Sequence, residues 1–219
     1  MAKDLAIILN NGGVNSAVAT ALAAQKYRTV LLHAETAPRP GTRARAAYDL
    51  QVAHFKPYRE HSLAIPLLGG PGERGRQPQT TADPRHPAAI GPKMQELLPL
   101  IAIAIRYAAQ YQAAAIYLGL RVGPGGDELA QATEYGQIWM EMAQVPCDLP
   151  ELEIVMPLLE LEAWQVVDVG FQVGAPFERT WSCVEETGEP CWACGGCRER
   201  EAAFQQAAKP DPLRVVRKN

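Results

Sequence analysis

Four of the five cysteines in this 219-residue chain fall within fifteen residues: Cys183, Cys191, Cys194 and Cys197. The spacing C-x7-C-x2-C-x2-C closes two short chelate loops and one longer one, enough to bring four thiolates to the corners of a tetrahedron. Such a run, with Cys147 left over, speaks for metal in a reducing compartment and against a disulfide framework. Zinc with four protein ligands would be closed off and structural. An iron–sulfur cluster uses the same four thiolates and is the competing occupant. Gly195-Gly196 is expected to supply flexible backbone in the last loop, and Arg198 and Arg200 to offset the thiolate charge. Trp164, Trp181 and Trp192 are expected to pack around the module, and Cys147 to be a buried thiol.

The rest of the chain alternates strand and helix patterns. Apolar residues on both parities of Leu5–Leu9 predict a strand buried on both faces, as in a parallel sheet. Further strands are expected at Thr29–His33, His61–Leu67, Ala115–Leu120 and Leu152–Met156. Helical spacing predicts helices over Val14–Tyr27, Arg43–Phe55, Lys93–Gln112, Asp127–Ala143, within Pro157–Val173, and near Arg198–Ala207. Thr42 and Asp127 are the expected N-caps, and Ala47, Leu50 and His54 are expected to share one side of their helix. The order implies βαβ units, a parallel sheet covered by helices on both faces, and ligand binding outside the carboxyl ends of the strands. Three loops lie there: Asn10–Ser16, Glu35–Thr42 and Arg121–Asp127. The Gly- and Pro-rich stretch Leu68–Pro92 is too long for an ordinary connection. We divide the chain into a nucleotide-binding domain, 1–174, and a metal-binding module, 175–219.

The turn Asn11-Gly12-Gly13-Val14-Asn15-Ser16 leaves a strand and opens a helix. Glycines there let backbone approach a ligand, and the free N–H groups of a helix start favour an anion. The turn fits a phosphate cradle and equally an ordinary tight βα turn. It is neither a Walker loop nor a G-x-G-x-x-G fingerprint. Glu35 and Asp127, at strand ends, are candidates for metal or substrate, and Lys93 for a phosphate.

The formal net charge of −3 gives no electrostatic argument for nucleic-acid or anionic-membrane binding. The most apolar stretch, Leu97–Ile105, is about half the length of a membrane span and runs into Arg106. The N-terminus lacks the features of a secretory signal, and the expected location is cytoplasmic.

The two motifs, in this order, resemble one family, the 7-cyano-7-deazaguanine synthases of the queuosine pathway, within the PP-loop ATP pyrophosphatases. The family's loop S-G-G-x-D-S is similar to Asn11 through Ser16. Its C-terminal cysteine motif is similar to Cys183 through Cys197, with Arg200 at its arginine position. Thr42-Arg43-Ala44-Arg45 resembles the basic start of its second helix, and Gly91-Pro92-Lys93 its P-G-R-N segment. Gly119 through Asp127 resembles the strand-end loop lining its base pocket. The resemblance covers most of the chain. It implies a Rossmann-like PP-loop α/β fold of the adenine nucleotide alpha hydrolase-like kind with a C-terminal zinc module.

It also implies an ATP-dependent carbon–nitrogen ligase, with Mg2+ accompanying ATP and one structural Zn2+ per chain. The enzyme would adenylate a deazapurine carboxylate, and an amine or ammonia would then give an amide or nitrile. Asn11, Gly12, Gly13, Val14 and Ser16 would hold ATP. Asn15, Ser16 and Lys93 would be catalytic, and Glu35, Gly119 and Asp127 would meet the substrate. The expected assembly is a homodimer. Two positions depart from the family's loop: Asn11 replaces its first Ser and Asn15 its Asp. Asparagine offers an oxygen but no charge, so it binds hard cations less well. This leaves open a catalytically altered paralogue that binds nucleotide and base or ligates the acid to another amine. A zinc-bearing nucleic-acid interaction protein, using Arg43, Arg45 and the tail Arg214, Arg217 and Lys218, is the reading from another class.

Overall fold

Successive side chains along the central strand point to opposite helix layers, and both layers are apolar. In β1 (Leu5–Leu9) the residues Ala6, Ile7 and Ile8 are fully buried. Ile7 packs with Val30 and Leu32 of β2 (Arg28–Glu35) and with Ile116 and Leu118 of β4 (Ala115–Leu118). This layer lies against Ile101 and Ile105 of α3 (Gly91–Tyr111) and Trp139 of α4 (Gly126–Gln144). Ala6, Ile8, Leu31 and Tyr117 face the other way, toward Ala23 of α1 (Val14–Lys26) and Tyr48 of α2 (Arg43–Phe55). Burying each large aliphatic side chain stabilises by about 1.5–3 kcal/mol. A one-residue slip would send every such side chain to the wrong layer, so the register is fixed.

The computed structural model describes residues 4–35, 42–65, 91–185 and 188–215, and for 91–95 and 215 the backbone alone. Its sheet has five parallel strands in the order β3-β2-β1-β4-β5, with β3 (Arg59–Ala64) and β5 (Glu153–Val155) at the edges. The strand order reverses at β1, between β2 and β4, which is where such sheets open a crevice at their carboxyl ends. After β5 come α5 (Ala163–Gln172), a 3-10 turn at Phe177–Arg179, α6 (Gly195–Gln206) and the short α7 (Pro212–Val215). Phe177 and Phe204 meet edge to face, with ring centroids 5.2 Å apart, in a cluster that includes Val18 of α1 and Val166 of α5. Helix α6 therefore shares core with the sheet-covering helices. No helix among the described residues is long and apolar enough to cross a membrane.

Several expectations shift. Strand β4 stops at Leu118 because the chain at Gly119 passes against the backbone of Asn15 and Ser16. Strand β3 runs Arg59–Ala64, earlier than His61–Leu67, and most of the Gly/Pro-rich stretch lies outside the described residues. Helix α5 starts only at Ala163, where Glu162 and Gln165 form a reciprocal capping box. Thr42 does cap α2, its hydroxyl accepting from Arg45 N at 3.1 Å. Asp127 is not a cap: Gly125 holds that position without a side-chain bond, and Asp127 is exposed in the first turn. In α2 the buried residues are Ala47, Tyr48 and Gln51, while Leu50 is 51% exposed and His54 is exposed. Cys147 is exposed, in the turn after α4, and not a buried thiol.

Candidate functional site

The loop from β1 to α1 is held from beneath by a buried polar network. Asn10, 2% exposed, accepts from Gly12 N (2.8 Å) and donates Nδ2 to Thr20 Oγ1 (3.1 Å) and Gln51 Oε1 (2.9 Å). Gln51, fully buried, donates Nε2 to Gly12 O and to Arg179 O, each at 3.0 Å. Every amide atom of that glutamine thus has a partner, as burial requires. Gly12 has φ +81°, and a Cβ there would sit 2.3 Å from Ala44 O, so only glycine fits. Asn11 Oδ1 accepts from Gly13 N and from Ser16 Oγ, both at 2.9 Å. Helix α1 then begins with no side-chain cap and no acid in its first turn, which leaves its leading N–H groups available to an anion.

Above this loop lies a cavity of about 780 Å³, a size that suits a nucleotide-class ligand. Asn11, Gly13, Val14, Asn15 and Ser16 form one side, and Gly119 through Arg121, after β4, form another. The third wall comes from the C-terminal segment, including Trp181, Ser182, Cys183 and Glu199. Of the two cations lining it among the described residues, Arg200 is already saturated. It grips Asp211 through Nε (2.7 Å) and Nη2 (2.8 Å), and it reaches Thr180 Oγ1 (2.6 Å) and Phe177 O (3.0 Å). Its expected role of offsetting thiolate charge is thereby corrected: Arg200 staples α6 to the segments on either side. Arg121 is ion-paired to Glu199 across the cavity wall.

The four cysteines converge. Their sulfurs all lie within 4.8 Å of one another, with Cys183 to Cys191 at 3.4 Å and Cys183 to Cys194 at 3.9 Å. A tetrahedral ion at about 2.3 Å from each sulfur implies sulfur–sulfur edges of about 3.8 Å, so the set fits one metal ion. Main-chain N–H groups of Glu185 (3.4 Å) and Cys191 (3.3 Å) point at Cys183 Sγ, and that of Cys194 (3.3 Å) at Cys191 Sγ. These donors favour thiolates. Burial acts to raise the Cys194 thiol, but the amides of Val184 and Cys197 outweigh it and hold the thiol at about 6. Burial pushes Cys197 up to about 12. A coordinated cation would override that split, because thiols deprotonate on binding. Gly196 is not there for flexibility: a Cβ would meet Ser182 O at 2.0 Å, so it permits a close backbone crossing. Trp192 lies under the Arg214 guanidinium (4.5 Å) and Trp181 bonds Glu185 O (3.0 Å), whereas Trp164 sits on α5, 38% exposed.

The remaining candidates separate. Glu35 ends β2 and pairs with Arg45; neither it nor Asp127 is among the residues lining the cavity. Lys93 falls in the first turn of α3, and its side chain lies outside the described residues. Gly119 belongs to the wall, and a Cβ there would approach Asn15 and Ser16 backbone to 2.8 Å. Sequence reasoning missed Gln51, Arg121, Glu199 and the support role of Asn10. A polar residue on the inward face of α2, three positions after Tyr48, was the available signal for Gln51.

Comparison with known proteins follows the same lines. The chain is 25% identical to a 7-cyano-7-deazaguanine synthase of Chlorobium chlorochromatii (strain CaD3), over 95% of this chain and 94% of that one. It is 28% identical to a protein of the same name from Microcystis aeruginosa (strain NIES-843 / IAM M-2473), over 98% and 96%. Among solved structures it is similar to the U34-tRNA thiolase NcsA from Methanococcus maripaludis with its 4Fe-4S cluster, at TM-score 0.47 and 12% identity over 99% of this chain and 67% of that one. The sequence profile of "Queuosine biosynthesis protein QueC" matches residues 94–208, which span α3 to α6 and all four cysteines. With more than half of its length matched in this way, the chain belongs to the QueC family of queuosine biosynthesis proteins.

Proposed function

We propose that this protein uses ATP to activate the carboxylate of a 7-carboxy-7-deazaguanine-like acid and passes the acyl group to ammonia or another amine. The carrying observation is the 780 Å³ cavity at the strand-order reversal, floored by an uncapped helix start and walled by the cysteine module, in a QueC-family chain. The similar proteins named 7-cyano-7-deazaguanine synthase support the substrate class. A carboxylate oxygen would attack the α-phosphorus of ATP and release pyrophosphate. The amine would then attack the acyl carbon and release AMP, leaving an amide. A second activation, at the amide oxygen, followed by loss of AMP, would leave a nitrile.

In this scheme Val14, Asn15 and Ser16 would present main-chain N–H groups to the phosphates, Gly13 would line the cradle with its own N–H held by Asn11, and the Ser16 hydroxyl would join on release from Asn11. Gly12 lies beneath, shaping the turn, and Lys93 would add positive charge from the start of α3. Mg2+ held with the triphosphate would supply charge neutralisation, and Asn15 would offer it a neutral amide oxygen, while that of Asn11 is taken up by Gly13 N and the Ser16 hydroxyl. Zinc is the cation we assign to Cys183, Cys191, Cys194 and Cys197. An iron–sulfur cluster puts thiolates on separate irons and spreads the sulfurs more widely than 4.8 Å. Residues 1–174 would serve the nucleotide and 175–219 the metal and the cavity wall, in a homodimeric protein of the cytoplasm.

One observation favours a second outcome of the same chemistry. Asn11 Oδ1 engages the Ser16 hydroxyl, and Asn15 puts no charge beside the phosphates. A loop altered in this way suits a paralogue that transfers the activated acid to a different amine. ATP–pyrophosphate exchange tests the main reading. Exchange that requires 7-carboxy-7-deazaguanine is expected, and exchange absent with the acid, or equal without it, overturns the proposal. Product analysis with ammonia against other amines separates the two outcomes.

A further inference from the structure

We infer that Arg121 recognises the carboxylate of the acid substrate, and that Glu199 occupies its guanidinium until the substrate displaces it. The inference rests on the proposed function and assigns one anion in the cavity to one side chain. Arg121 follows Gly119 and Leu120 at the carboxyl end of β4, across the strand-order reversal from the start of α1. Its side chain is 17% exposed, and it lines the cavity. A guanidinium withdrawn from water to that extent needs an anionic partner. Among the described residues that line the cavity it is the cation left for a ligand, because Arg200 is consumed by Asp211, Thr180 and Phe177.

The partner it has is poorly held. Glu199 on α6 is 59% exposed, and its contact with Arg121 is a single Nη2–Oε1 pair. Exposed carboxylates of this kind contribute little to stability and exchange easily. A flat aromatic carboxylate entering the cavity would offer the guanidinium two coplanar oxygens, the bidentate match that arginine makes and lysine does not. The phosphates have another place, the uncapped N–H groups of α1, so the two anionic ends of the reaction fall on opposite sides of the reversal. Glu199, left beside a bound carboxylate, would then repel it.

Two partners of one ion pair are therefore predicted to act in opposite directions on binding. A purely structural pair would lose stability from either side and would leave ligand selectivity alone. Isothermal titration calorimetry on the full-length, metal-loaded protein reads 7-carboxy-7-deazaguanine, its neutral 7-carboxamide and ATP separately. Arg121→Gln is expected to weaken the acid by about tenfold or more, the scale of a lost charge-assisted hydrogen bond, with the carboxamide and ATP changed by less than about twofold. Arg121→Lys should recover part of the affinity. Glu199→Gln should tighten the acid by about twofold or more, and it decides the matter alongside Arg121→Lys if Arg121→Gln fails to fold. Unchanged acid binding in Arg121→Gln, or weakening by both Arg121→Gln and Glu199→Gln, overturns the inference and leaves the proposed function standing. A loss confined to ATP assigns the guanidinium to phosphate and also overturns it. A wild-type protein that binds ATP but not the acid overturns the substrate reading and this inference together.

Discussion

The main-chain N–H of Trp181 donates to Gly12 O at 2.9 Å, and that same carbonyl accepts Gln51 Nε2 at 3.0 Å. Gly12 lies under the candidate phosphate loop, and Trp181 stands two residues before the first clustered cysteine, Cys183. The loop is thus braced by the chain segment that enters the metal module. Both are 0–9% exposed together with Asn10 and Gln51, so the brace works in a low-dielectric setting where a lost bond is costly.

Cys194→Ser should therefore affect more than metal content. Elemental analysis of the wild type is expected to give about one zinc per chain, and the variant should lose most of it, with a lower Tm. ATP affinity should fall as well, because the Trp181 segment loses its anchor. Stoichiometric iron in the wild type would replace zinc with a cluster. Full metal loss with unchanged ATP affinity would show that the brace is independent of the module.

Gly12→Ala should destabilise by about 3 kcal/mol or more, since it combines a left-handed backbone with a Cβ placed 2.3 Å from Ala44 O. Gly13→Ala next to it should cost about 1 kcal/mol, because its nearest neighbour is the Asn11 side chain at 3.0 Å, which can give. Urea unfolding of both variants measures the contrast.

Arg200→Met should cost about 3–5 kcal/mol, the scale for removing one partner of a buried pair and stranding the other. Arg200 and Asp211 side chains are 3% and 5% exposed, so Asp211 would be left as an uncompensated charge. Adding Asp211→Leu should recover much of the loss. A double variant no more stable than the single one would show that the bonds to Thr180 and Phe177 carry the effect.

Burial lowers the pKa of His33 from its usual 6.5, with Arg45 adding to the shift and the Asn10 carbonyl at 2.9 Å opposing it. The ring is stacked on Tyr48 with centroids 4.5 Å apart. Below pH 6.5 the unfolded chain takes up a proton that the folded one refuses, so this group contributes a loss of stability as pH falls. The slope is at most about 1.4 kcal/mol per pH unit until the folded-state pKa is reached. His33→Gln should flatten that part of the stability–pH curve. An unchanged curve would mean that other groups set it.

Asn15 lines the cavity where the resemblance places an acid. Asn15→Asp should raise acid-dependent ATP turnover about tenfold at limiting Mg2+, equivalent to roughly 1.4 kcal/mol in the barrier. A fall in turnover would show a site rebuilt around the neutral amide. No change at limiting and saturating Mg2+ would remove Asn15 from control of the chemistry.

The sequence by itself determined the parts that rest on local or covalent regularity. Apolar residues on both parities of Leu5–Leu9 fixed a doubly covered strand, Thr42 fixed the start of α2, and the spacing of Cys183 to Cys197 fixed a four-thiolate cluster. Periodicity and chelate-loop length act over a few residues, so they are written in the chain. What tertiary structure alone decided is long-range. Gln51 reads as an unremarkable polar residue in a helix until Gly12 and Arg179 close on it, the latter 128 positions away. Arg121 and Glu199 are 78 positions apart, and only the packing of α6 against α5 brings them into one wall. Asp127, which the resemblance places at the substrate, is exposed in the first turn of α4, and Gly123, Gly125 and Gly126 before it all adopt positive φ, a path that no local pattern specifies. Which side chains face a common cavity depends on strand order and helix packing, and these follow from the burial of the whole core and not from any one segment.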